Sequence, residues 1–385
     1  MQIAGGLYRE LCDMPFWDAT FGSGARAAAA VAAHCSDVEL HTYASPSDQL
    51  ALAALRNQGI RLSITSRPSP IAFAYFHPLS VPYIQPARPH IERQPSVNVS
   101  GEAVLRFGFL EGDAVVKANR AVYDPQTWRN PQTFAANGST ANELAVVLNE
   151  LELQHATGVA EQDKAAAELM KKQGAAIVVV KGGTRGAIVY ERSGHSSHIP
   201  AYRSSRVFKI GTGDVFSAMF ALHWAQEGIE AAKAADLASR SVSLYCETRN
   251  FGFDRALMSR LLPVSGSAGG SVSLEGATET LGQRFVMEEA RFALRELGMD
   301  VRCPELEFGS NNTSASAILV IDDGLSLESL ARIQVAKATA VPLVTLHERA
   351  DTPTSIADSD WITDDFTTAM YLTAWAAKSK KIEKQ

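Results

Sequence analysis

Cysteine is scarce in this chain. Four residues, Cys12, Cys35, Cys246 and Cys303, lie far apart, with no Cys-x-x-Cys pair and no Cys/His cluster. That argues against a zinc site and against a disulfide framework, and points to a reduced setting. An excess of positive charge is also missing: 36 Lys+Arg against 42 Asp+Glu give a net charge of −6. The basic field that non-specific nucleic-acid binding needs is therefore absent, and no nucleic-acid partner is expected. No run of about 18 apolar residues occurs, and Met-Gln-Ile-Ala-Gly-Gly has neither a basic nor an apolar leader region. No membrane span or secretion is expected, and the expected location is cytoplasmic. What remains is ordinary: 385 residues, 46% hydrophobic and 20% charged, enough for two or three domains at roughly 150 residues each.

The clearest break is Val264-Ser-Gly-Ser-Ala-Gly-Gly-Ser271, small residues that lose much entropy on ordering and so read as a linker. It divides the chain into a part covering 1–263 and a part covering 272–378, with a lysine-rich tail over 379–385. In the first part Gln2-Ile-Ala reads as a strand running into Gly5-Gly6, and Phe21-Gly-Ser-Gly24 leads into an alanine-rich helix over Ala25–Ala33. Residues 61–100 are rich in Pro, aromatics and β-branched residues and read as an antiparallel excursion. Beyond Ala114, Ala121-Val-Tyr123 reads as a strand. Asn142–Leu153 and Asp163–Gln173 read as helices, and Ala176–Val180 as a buried strand. A hairpin follows, then a long helix opened by Gly211-Thr-Gly213. Strands alternating with helices predict an α/β fold with a parallel sheet. The second part repeats this grammar: strands at Val272-Ser-Leu274, Ala317–Ile321 and Pro342–Leu346, and helices at Arg284–Leu297 and Leu327–Ala338.

The strongest local signal is Lys209-Ile-Gly-Thr-Gly-Asp-Val-Phe216. Two glycines and a threonine before a helix let successive N–H groups converge, and the helix dipole adds positive potential, which suits a phosphoryl group. Asp214 in the first turn is placed to accept a proton from an attacking hydroxyl. The alternative is a tight turn with Asp214 as a plain helix cap.

Several motifs in order resemble the PfkB/ribokinase family of small-molecule kinases, over most of residues 1–263. They are Gly5 with Glu10, Gly22-Ser-Gly-Ala-Arg26, Tyr123-Asp-Pro125, Asn142 in Thr140-Ala-Asn-Glu143, Val180-Lys-Gly-Gly-Thr-Arg-Gly186 and Gly211-Thr-Gly-Asp214. The resemblance implies a ribokinase-like α/β/α sandwich with a β lid, closing over the site and offering a surface for a homodimer. It implies ATP and Mg2+ as cofactors and a sugar or nucleoside hydroxymethyl group as acceptor. Asp214 would be the base, and Gly211, Thr212 and Gly213 the anion hole. Glu10, Gly22, Gly24 and Arg26 would face the acceptor, while Asn142, Lys181, Gly183 and Gly186 would face the nucleotide. No residue is assigned as a direct metal ligand. Two departures stand out. Arg26 replaces the family's usual Asn, which favours an anionic acceptor or a salt bridge to Glu10. Ala145 falls where the Asn-x-x-Glu motif would carry its carboxylate.

The second part resembles, more faintly, the nucleoside 2-deoxyribosyltransferase family, which implies a smaller flavodoxin-like open α/β domain. Arg332 stands where that family carries its catalytic Glu, so catalysis there is not expected. Gly276, Asp323 and Arg332 are its candidate ligand residues, for a nucleoside- or nucleotide-like ligand. Two functional expectations follow: an ATP-dependent sugar or nucleoside kinase, and alternatively a catalytically weakened binding or regulatory protein.

Overall fold

A computed structural model of the chain describes residues 1–129, 131–264, 269–307, 315–349 and 353–378. Most of the expected linker core (265–268) and the whole tail over 379–385 lie outside the described residues. The chain divides into two compact units. The first comprises Met1–Phe76, Ser80–Ser204 and Lys209–Leu262; the second takes up His77–Leu79, Ser205–Phe208 and the chain from Pro263 onward.

In the first unit, the described residues form a nine-stranded sheet. Its order is Ser196–Ile199, Ala187–Glu191, Ile177–Lys181, Thr140–Asn149, Ala114–Asp124, Val97–Phe107, Gln2–Ala4, Glu39–Ala44 and Arg61–Ser66. The seven strands from Ile177–Lys181 to Arg61–Ser66 pair in parallel, and the hairpin at the other edge is antiparallel. Central strands such as Ile177–Lys181 read as continuous apolar runs because both sheet faces are covered. The helix Gly22–Ala32 packs on Thr212–Ala221, which packs in turn on Ala231–Thr248.

Two expectations are corrected here. Asn142 and its neighbours form no helix. Thr140–Asn149 is a strand paired on both sides, and the helix Glu150–Thr157 begins only after it. The run Leu144–Leu148 is buried throughout, so sheet burial overrides the helical reading of this stretch. The expected excursion over 61–100 is also redrawn. Arg61–Ser66 belongs to the main sheet, and Val97–Phe107 returns to it. The lid is instead a separate four-stranded sheet, Trp17–Thr20, Arg9–Cys12, Ala72–Tyr75 and Tyr83–Gln85, assembled from two distant stretches of chain.

In the second unit, five parallel strands run in the order Asp300–Arg302, Ser271–Glu275, Ala317–Ile321, Leu343–Leu346 and Trp361–Thr363. Helices Leu281–Glu296, Leu327–Ala338 and Phe366–Lys378 accompany them, and Leu274, Leu294, Leu319, Val344 and Met370 share its core. Among the described residues, no helix of either unit is long and apolar enough to cross a membrane.

Candidate functional site

The helix Thr212–Ala221 starts from Gly211, whose φ of +77° is a left-handed conformation natural to glycine. A Cβ there would lie 2.1 Å from Arg26 Nε, so glycine is also demanded by packing. Asp214 sits in the first turn. Its Oδ2 accepts from Arg26 Nη1 at 2.8 Å, and its Oδ1 accepts from Gln126 Nε2 at 2.6 Å. Burial raises the Asp214 pKa above the ordinary carboxylate range, and the Arg26 guanidinium offsets part of that rise. The Thr212 N–H already donates to Lys209 O at 3.3 Å, and Lys209 Nζ donates to the Thr212 hydroxyl at 2.7 Å. Burial pushes the Lys209 ammonium down. Gly211, Thr212 and Gly213 all line the same cavity as Asp214.

Arg26 is 1% exposed and does not line that cavity. The acceptor-facing role expected for it is corrected: its guanidinium forks onto Glu10 and also reaches Asp214. Its Nε donates to the Tyr245 hydroxyl at 3.2 Å, which in turn donates to Ile210 O. Of the two open readings, the salt bridge to Glu10 is what forms. Glu10 lies on the lid strand Arg9–Cys12, lines the cavity, and also accepts from the Gly22 N–H at 3.2 Å. Gly24 is corrected too. A Cβ on it would lie 2.3 Å from Gly5 O, so it serves helix-to-strand packing and does not line the cavity. Ser23, between Gly22 and Gly24, lines the cavity, and among the described residues its buried hydroxyl has no hydrogen-bond partner.

On the opposite side, Asp124 closes the strand Ala114–Asp124 and is 1% exposed. It accepts from Lys181 Nζ at 2.8 Å and from Ser217 Oγ at 2.7 Å. Burial works against the Lys181 ammonium, but the Asp124 and Glu152 carboxylates outweigh it and raise its pKa. Asn149 caps Glu150–Thr157 in a reciprocal capping box with Glu152. Burial, reinforced by the charge of Asp124, pushes Glu152 up to about 7. Both Asn149 and Glu152 line the cavity.

The nucleotide-side expectations are corrected accordingly. Asn142 lies on a strand away from the cavity and donates to Asn119 Oδ1 at 3.1 Å. Ala145 is fully buried in that strand, so it marks no missing carboxylate. The complete Asn-x-x-Glu spacing lies seven residues later, at Asn149–Glu152, where the capping box was a legible signal. Gly183 and Gly186 do not line the cavity; a Cβ on Gly186 would meet Ile199 O at 2.0 Å, so it serves the hairpin. Lys181 does line it.

The cavity has a volume of about 570 Å³ and lies wholly within the first unit. Lid residues Phe73 and Tyr75 cover it, Tyr8, Phe109 and Leu110 add apolar wall, and Arg88, Arg93 and Arg129 complete the lining. Sequence reasoning missed these arginines and Gln126, and gave Lys209 no role although it opens the strongest motif. Gln126, directly after the Asp124-Pro125 step, also had a signal nearby.

In the second unit Arg332 does not present a free guanidinium. It donates to both oxygens of Glu275, which is fully buried, and to Glu305 Oε1 at 2.5 Å. Glu328, one turn earlier on the same helix, is not among the partners found for it among the described residues. A Cβ on Gly276 would lie 2.5 Å from Met287 Sδ, so this glycine serves core packing. Asp323 faces Arg349 at 3.3 Å.

Residues 121–254 match the pfkB family carbohydrate kinase pattern. The 5-dehydro-2-deoxygluconokinase of Listeria monocytogenes is 29% identical over 149 residues, 37% of this chain and 46% of that protein. The enzyme of the same name from Listeria innocua is 27% identical over 126 residues, 31% of this chain and 38% of that protein. The matched stretch thus spans less than half the length of these relatives. The ribokinase structure from Giardia lamblia superposes with a TM-score of 0.52 at 16% identity, covering 67% of this chain and 98% of that one. That likeness shows a ribokinase-like α/β fold.

Proposed function

We propose that the first unit transfers the γ-phosphoryl group of ATP to a hydroxyl of a sugar or nucleoside, with Asp214 as the base. The observation that carries this reading is the meeting of Asp214, the N-terminus of Thr212–Ala221 and the Lys181 and Lys209 ammoniums in one lidded cavity. The acceptor oxygen attacks the γ-phosphorus while the bond from phosphorus to the β–γ bridging oxygen breaks. ADP leaves, and the hydroxyl proton passes to Asp214 Oδ1, displacing the Gln126 amide that now bonds there. Ser23 Oγ, buried and unpartnered among the described residues, supplies a hydrogen bond to the acceptor. N–H groups at the helix start, with Lys209, would stabilise charge on the transferring group.

The donor side suits magnesium, a hard cation that takes one or two carboxylates and fills its shell with water and phosphate oxygens. Glu152, a carboxylate lining the cavity that burial pushes up to about 7, is the residue we assign to it. When bound, the ion would neutralise charge on the donor phosphates. Incubation with ATP, magnesium and a panel of sugars and nucleosides, followed by detection of phosphorylated product, tests the reading. The second unit we read as non-catalytic, because Arg332 and its two carboxylate partners close on one another.

A further inference from the structure

The acids and bases of the cavity do not balance in space. Glu10 and Asp214 share Arg26, and Asp124 is matched by Lys181, whose charge Glu152 also feels. Glu111, behind the apolar wall, is taken by Arg67 and by the Tyr8 hydroxyl. Arg88, Arg93 and Arg129 line the same cavity, and among the described residues none of them has a carboxylate within ion-pair distance. Arg93 reaches only the Leu110 carbonyl, at 3.4 Å, and Arg129 lies over the Trp128 ring at 4.2 Å. Burial and the charge of nearby Arg129 both press the Arg88 guanidinium down. Like charges gathered without a counter-charge are unfavourable unless a ligand supplies it.

Two of these arginines stand between the lid strand Tyr83–Gln85 and the main-sheet strand Val97–Phe107, and the third follows Asp124-Pro125-Gln126. We infer that the phosphoryl acceptor carries an anionic group, a carboxylate or a phosphate ester, held by Arg88, Arg93 and Arg129. Guanidinium forks match the two oxygens of either group. The neutral polyol end of such an acceptor then lies toward Ser23, Glu10 and Asp214. That the anion belongs to a phosphoryl acceptor rests on the proposed phosphoryl-transfer reading, so the test separates the two.

Calorimetric titration of the full chain with glucose, gluconate and glucose 6-phosphate at constant ionic strength provides that test. The wild type is compared with Arg93→Gln and with the double variant Arg88→Gln/Arg129→Gln, whose exposed positions leave folding intact. At least one anionic probe should bind about tenfold or more tighter than glucose, and the double variant should erase that preference. Which probe wins separates carboxylate from phosphate. Anions that bind no better than glucose, or equally well to the variants, overturn the inference, as does a loss confined to ATP binding. Turnover of neutral sugars without anion preference overturns only this inference. Arginine-dependent anion binding without turnover of any acceptor supports it and removes the kinase reading.

Discussion

Arg26 Nη1 donates to Asp214 Oδ2 at 2.8 Å from a guanidinium that is 1% exposed. The same nitrogen donates to Glu10 Oε1 at 3.0 Å. One buried cation therefore ties the lid acid to the candidate base, and does so without entering the cavity. Its removal strands two buried carboxylates. Arg26→Met should lower the unfolding free energy by about 3–5 kcal/mol, the usual cost of breaking a buried pair from one side. Urea denaturation checks this; a loss under about 1 kcal/mol would mean that the carboxylates find other partners.

The same contact shapes pH dependence. Burial raises the folded pKa of Asp214, so the base is protonated, and idle, at pH values where a free aspartate is ionised. Activity should fall on the acid side with a midpoint above the ordinary aspartate range. Arg26→Lys keeps a charge but loses the fork, so its offset weakens and the midpoint should move to higher pH. A kcat/KM profile whose acid limb is unmoved in this variant would show that Arg26 does not tune Asp214.

Glu152 and Ala145 make a contrasting pair. Glu152→Gln should raise the magnesium concentration needed for half-maximal rate several-fold, since a carboxylate near the phosphates is lost. Ala145→Glu should bring no gain, because a carboxylate forced into a fully buried strand position has no partner. It should instead destabilise the fold by several kcal/mol. Magnesium titration and thermal melting of both variants check the pair.

Gly24 tests a purely structural assignment. A Cβ 2.3 Å from Gly5 O must push the helix Gly22–Ala32 off the strand Gln2–Ala4. Gly24→Ala should cost about 1–3 kcal/mol of stability, as overpacking does. Melting at near wild-type temperature would contradict it.

Much of the fold was legible where local signals and burial agree. The apolar strand Ala317–Ile321 and the helix Leu327–Ala338 stand where their patterns put them, and Gly211 opens its helix. Asn142 misled because the complete Asn-x-x-Glu spacing lies seven residues further on, at Asn149–Glu152, and only tertiary burial shows that Asn142 lies in a strand. The lid was half legible, since Arg9–Cys12 and Ala72–Tyr75 pair across some sixty residues with no local mark of it. The Arg26–Tyr245 bond joins residues 219 apart, beyond any spacing argument. The arginine cluster arose the same way, from loops brought together by the sheet.

The measurement that bears most directly on the kinase reading is phosphoryl transfer by Asp214→Asn beside its ATP affinity. The substitution keeps size and shape and removes proton acceptance. Turnover should fall by about two to four orders of magnitude, while ATP affinity stays near wild type, because the proposed reading gives the phosphates to lysines and backbone N–H groups. Turnover within a few-fold of wild type would reduce Asp214 to a partner of Arg26 at a helix start and contradict the proposed function.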